Sequence, residues 1–260
     1  MVRSLNVNLE SFGPKNETRA QGIKATLEST FDAFIAEFGT EPDAAVNVAW
    51  WSHPQPPKAL FDHRPYEIRI NAVANNWPQY AYQFAHELCH VMTNFDRIKR
   101  HRHKWFEESL CELASLRVLC RLANVWAATP PLAINESRHL AQDHANYARQ
   151  VKYSYSLPPG VDLPGWLATN IERMEESSTK RELNGPLAVA LAKSFRQDSA
   201  LWRDCTALNY WDANNDGTFR EYLDSWEARL RESDAEPGRM PALARALFLR
   251  DEAEAASNTR

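Results

Sequence analysis

The chain has 260 residues, enough to bury a full core as one large domain or as two lobes around a cleft. Hydrophobic residues make up 44% and charged residues 25%, and the formal net charge of -4 gives no global pull toward nucleic acid or anionic membranes. No apolar run approaches the roughly 20 residues of a membrane helix. The opening "MVRSLNVNLESFG" lacks the apolar core of a signal peptide. Four scattered cysteines, Cys89, Cys111, Cys120 and Cys205, do not make a disulfide framework, so a reducing, cytoplasmic setting is expected.

The first element is a helix over 16–38, where Ile23, Leu27, Phe31, Phe34, Ile35 and Phe38 fall at helical spacing before Gly39. "AAVNVAWW" at 44–51 reads as a strand, stopped by the proline-rich "HPQPPK". "YEIRINAVA" at 66–74 alternates and predicts a second strand. "NNWP" then breaks the chain before a helix over about 79–94. A long helix follows over about 105–126 and a third over about 134–152. "LPPGVDLPG" at 157–165 is the clearest linker, and further helical patterns cover about 164–177, 186–198 and 218–231. Few strands come early and helices dominate afterwards, which predicts an α+β fold with a helical C-terminal part.

The helix over 79–94 carries "HELCH", residues 86–90. Each helical residue turns the chain by about 100°, so His86 and His90 project within roughly 40° of each other. Two imidazoles one turn apart bind one cation from one face. Glu87 lies beside that face, placed to act on a water at the metal. Neutral imidazoles suit zinc, and a catalytic zinc takes three protein ligands plus an open position. Packing is the alternative for a bare histidine pair, so the third ligand decides. Glu108 and Glu112, again four apart, lie on the next helix, where one can ligate and the other orient a ligand histidine. Asp96, six positions after His90, is the rival. Some metal peptidases take a third ligand there, with a glycine three residues after the second histidine for the tight turn; Thr93 stands there, so Glu108 is preferred.

His86, Glu87, His90 and the downstream Glu108 with Glu112 resemble the gluzincin metallopeptidases, which include thermolysin-like enzymes and aminopeptidases with a "NEG" glutamate motif. The resemblance covers about 66–115. It implies one zinc ion per chain held by His86, His90 and Glu108, with Glu87 as general base and Glu112 behind a ligand histidine. "RINAVA" is similar in place to the edge strand that binds substrate backbone in that family. "EES" stands for "NEG", and Glu182 stands three residues before Gly185, where those aminopeptidases place an oxyanion-stabilising tyrosine. The implied fold is a single zincin-like catalytic domain with a small mixed sheet. Its N-terminal lobe, 1–156, would hold the strands and both ligand helices, and 157–260 would form a helical lobe. The implied activity is zinc-dependent hydrolysis of a peptide or protein substrate, with no nucleic-acid or membrane partner and an open oligomeric state. A zinc-binding but non-catalytic regulatory protein is the alternative.

Other features carry blander readings. Cys89 and Cys111 flank the ligand faces, where a thiolate can compete for metal, but a small buried cysteine is the commoner use. "RIKRHRHK" at 97–104 is read as a solvated basic loop in preference to a rim for an acidic ligand. "DANNDG" at 212–217 matches half of a calcium loop through Asp212, Asn214 and Asp216. Leu223 fills the position of the clamping glutamate, so a polar turn capping a helix at Thr218 is expected instead. His139, His144, Tyr147, Tyr153 and Tyr155 are candidate oxyanion donors with packing as the default.

Overall fold

Alternating apolar side chains build a small mixed sheet, and helical spacing elsewhere builds the rest of an α+β fold. The computed structural model describes residues 4–13, 17–52, 55–98, 100–134, 139–211, 217–233 and 238–249. The chain divides into two compact units, Met1–Met92 with Leu110–Ser154, and Thr93–Ser109 with Tyr155–Arg260.

The first unit contains β1 (Leu5–Val7), α1 (Glu17–Phe38), β2 (Val46–Trp50), β3 (Lys58–Leu60), β4 (Tyr66–Ile70), α2 (Trp77–Met92), most of α3 (Lys104–Ala128) and α4 (Leu140–Ser154). The strand order is β1-β2-β4-β3. β1 and β4 run parallel to β2, while β3 runs antiparallel to β4. Val46, Val48, Tyr66, Ile68 and Ile70 are buried, and the register sets Val46 against Tyr66 and Val48 against Ile68, so one sheet face is a continuous apolar layer. Trp51 lies between the Lys58 ammonium and the Arg69 guanidinium, 4.6 Å and 4.3 Å from its ring centre.

α1 buries Ile23, Leu27, Phe31, Phe34 and Phe38, each contributing about 1.5–3 kcal/mol of apolar burial, while Ile35 sits at the margin. Gly39 ends the helix with φ of 77° and a bond from its N–H to Ile35 O at 2.8 Å. α1 packs on α2 through a close approach at Gly22, where a Cβ would stand 2.7 Å from the Trp77 indole. α3 is tied to α1 by Arg117 and Glu37 at 2.8 Å. It is tied to α2 by Ser115 Oγ, which donates to the Tyr82 carbonyl at 2.9 Å.

The described residues of the second unit hold helices and no strand. They comprise the start of α3, α5 (Leu163–Glu176), α6 (Arg181–Gln197), α7 (Leu201–Cys205), α8 (Phe219–Ser233) and α9 (Arg239–Phe248). Phe106, Phe195, Trp202, Tyr222 and Trp226 form its aromatic core. Asp162 caps α5 by accepting the Gly165 N–H at 2.6 Å. Thr218 and Glu221 cap α8 reciprocally: Glu221 accepts the Thr218 N–H at 2.6 Å and Thr218 Oγ1 accepts the Glu221 N–H at 3.3 Å. The residues of the half calcium loop, Asp212 to Asp216, lie outside the described residues.

Three expectations change. The strand at 66–74 stops at Ile70 and is internal, paired with β2 on one side and β3 on the other, so it cannot offer an edge to a substrate over 67–69. β3 takes that edge position; the prolines before it disguised it as a loop. α6 begins at Arg181, with Pro186 inside it, five residues before the proline that reads as its start. The basic segment 97–104 is only partly solvated: His103 and Lys104 are buried, while Arg97, Arg100 and Arg102 are exposed.

Candidate metal centre

α2 is apolar nearly all round, and every residue from Trp77 to Met92 except Gln79 is buried. Pro78 sits in its first turn, where a missing N–H costs nothing. Gln83 fixes the helix to the end of β4, accepting the Asn71 N–H at 3.0 Å and donating to its side-chain carbonyl at 2.7 Å. Asn94, which follows the helix, takes the left-handed turn at φ of 58°. Asparagine adopts that conformation readily, and Thr93 is thereby spared it. The Thr93 hydroxyl instead donates to Glu107 at 2.5 Å.

On this buried helix His86 and His90 lie one turn apart, their rings 5.2 Å between centres and 74° between planes. Their exposures are 5% and 7%, and Glu87 is equally buried at 5%. α3 brings two groups to them. Glu112 Oε1 stands 3.5 Å from His86 Nδ1, and the other carboxylate oxygen accepts the Tyr82 hydroxyl, one turn before His86. Glu112 is fully buried, a cost of several kcal/mol for an unpaired carboxylate that these neighbours offset. A carboxylate beside Nδ1 favours the tautomer with its proton there, which leaves the Nε2 lone pair of His86 for a metal. The second group is Cys111, whose Sγ lies 3.5 Å from His90 Nδ1.

His86, His90 and Cys111 gather ligand atoms that all lie within 4.8 Å of one another. Two imidazoles and a thiol are donors suited to zinc, and the three fit a single ion. Glu108, one turn before Glu112 on α3, is buried. Asp96 lies on the short turn Phe95–Arg97. Sequence reasoning placed Cys111 among packing residues. The signal was present, since Cys111 stands three residues after Glu108, within one turn of it on the same side of α3.

The remaining candidates have ordinary surroundings. His144 is buried, with Nδ1 bonded to Leu140 O at 2.8 Å and its ring edge-on to Trp126, and burial lowers its pKa. Tyr147 stands edge-on to Tyr82 at 5.7 Å, and Tyr153 is exposed. In the second unit the Tyr155 ring covers Gly185, where any Cβ would collide with it at 2.1 Å. His101 lies against Trp211 and Tyr222, and burial, then the Lys104 charge, lowers its pKa to about 3, so it is neutral at physiological pH.

No helix among the described residues is long and apolar enough to cross a membrane. Comparison with family profiles, curated proteins and solved structures gives no significant match.

Proposed function

We propose that this chain is a zinc-dependent hydrolase acting on peptide bonds, with one zinc ion held by His86 and His90 of α2 and a third donor from α3. The observation that carries the proposal is the buried histidine pair with a carboxylate behind it: His86 and His90 one turn apart, and Glu112 3.5 Å from the His86 nitrogen. The sequence resemblance assigns the third donor to Glu108.

Bound zinc supplies a Lewis acid for a carbonyl and for water. Glu87, between the histidines on α2, takes a proton from the attacking water and delivers it to the leaving amine nitrogen. Glu112 holds the His86 ring in one tautomer, and Tyr82 holds Glu112. The near-complete burial of Glu87 excludes bulk water, which strengthens its interaction with a developing positive charge. β3 is the antiparallel edge of the sheet and packs beside α2, a place where an extended peptide can add as a further strand.

The test is Glu87→Gln measured with a peptide library and with metal analysis. Hydrolysis falls by about 10²- to 10⁴-fold, the usual worth of a general base, while zinc content stays at one per chain. Unchanged hydrolysis would sink the enzyme reading. A second reading, a zinc-binding protein without catalysis, is favoured by the thiol of Cys111 beside His90, because cysteine ligands are common in closed structural sites.

A further inference from the structure

We infer that the donor from α3 is Cys111, so that the centre is a two-histidine, one-thiolate site; this rests on the metal-binding part of the reading above and replaces Glu108 as ligand. Distance is the first argument. Zinc–sulfur and zinc–nitrogen bonds of about 2.3 Å and about 2.0–2.1 Å, at a tetrahedral angle, put the two donors about 3.6 Å apart. Cys111 Sγ and His90 Nδ1 are 3.5 Å apart. The ligand atom of His86 lies within 4.8 Å of both.

Position is the second argument. Cys111 is fully buried and immediately precedes Glu112, the residue set beside His86. The same turn of α3 therefore delivers one group to each histidine. Packing alone does not require the sulfur of Cys111 to face His90 Nδ1 as it does. Cys89, also fully buried and on α2 itself, belongs to no such group.

Chemistry follows from the donor set. Binding replaces the thiol proton by the metal, giving a thiolate ligand with the same charge a carboxylate would bring. A thiolate with two imidazoles selects zinc and other borderline or soft ions over magnesium and calcium, which take oxygen. Three protein ligands would leave one position of a tetrahedral ion for water, as hydrolysis requires.

X-ray absorption at the zinc edge of the purified full chain tests this without any substitution. The expected result is one sulfur scatterer at about 2.3 Å beside nitrogen or oxygen at about 2.0–2.2 Å. Stoichiometric zinc with only nitrogen and oxygen scatterers overturns the inference and leaves the zinc reading standing, with Cys111 reduced to a partner of the His90 ring. Absence of zinc overturns both. Cobalt substitution gives a second readout. Wild type shows a thiolate-to-cobalt charge-transfer band that Cys111→Ser loses and Cys89→Ser keeps; a band surviving Cys111→Ser overturns the inference. A sulfur ligand found together with Glu87→Gln activity equal to wild type overturns the hydrolase reading alone.

Discussion

Two buried polar clusters draw on α3, and they differ in what completes them. In the second unit Lys104 Nζ is 2.5 Å from Glu107 Oε2 and 3.2 Å from Asn209 Oδ1. Asn209 Nδ2 donates to Thr93 O at 2.8 Å and to Glu107 at 3.0 Å, and the Thr93 hydroxyl donates to the other Glu107 oxygen. That cluster contains its own cation, and donors and acceptors answer each other. In the first unit His86, His90 and Cys111 are three electron-pair donors turned toward one another. The contrast sets a polar network that contains its own cation beside a group of donors that could hold an added one.

Removing a histidine has the largest effect. His86→Ala and His90→Ala should each drop zinc from one per chain to below about a tenth, read by elemental analysis. The zinc-dependent stabilisation, about 4 kcal/mol at a thousandfold excess over Kd, should vanish from denaturant titrations. Retained zinc in both variants would break the comparison. Glu107→Ala comes next. It strands a buried ammonium, costing on the order of 3 kcal/mol or more in the same titrations, yet zinc stoichiometry stays at one. Loss of zinc there would show that the two clusters are not functionally separate. Glu112→Gln has the smallest effect. It keeps a hydrogen-bonding partner for Tyr82 but removes the charge beside His86, so zinc affinity weakens roughly 10- to 100-fold, about 1.4–2.7 kcal/mol in competition titrations.

The parts of this molecule that were legible in the sequence are those written in local spacing. The stripe Ile23–Phe38 marks α1, and the four-residue interval of His86 and His90 marks the ligand face of α2 because a helix turns once in 3.6 residues. Thr218 with Glu221 marks the start of α8 through chemistry confined to one turn. What escaped depends on contacts between distant residues. β3 is three residues long and follows prolines, so only its pairing with Arg69 and Glu67 makes it a strand. Its presence turns β4 from an edge into an interior strand. The ten residues of α9, Arg239–Phe248, gave no reading because Pro241 interrupts an already short pattern. Cys111 looks like any small buried residue until α3 is laid against α2 and its sulfur meets His90.

The short edge of the sheet has one more consequence. β3 is entered through Pro56 and Pro57 and begins at Lys58, and it ends at Leu60. A strand so brief, introduced by residues that lack N–H groups and bearing a charge, gives a second copy of the chain little to zip onto. Self-association through this edge of the sheet is thereby discouraged. Lengthening β3 by replacing those prolines would trade colloidal restraint for stickiness.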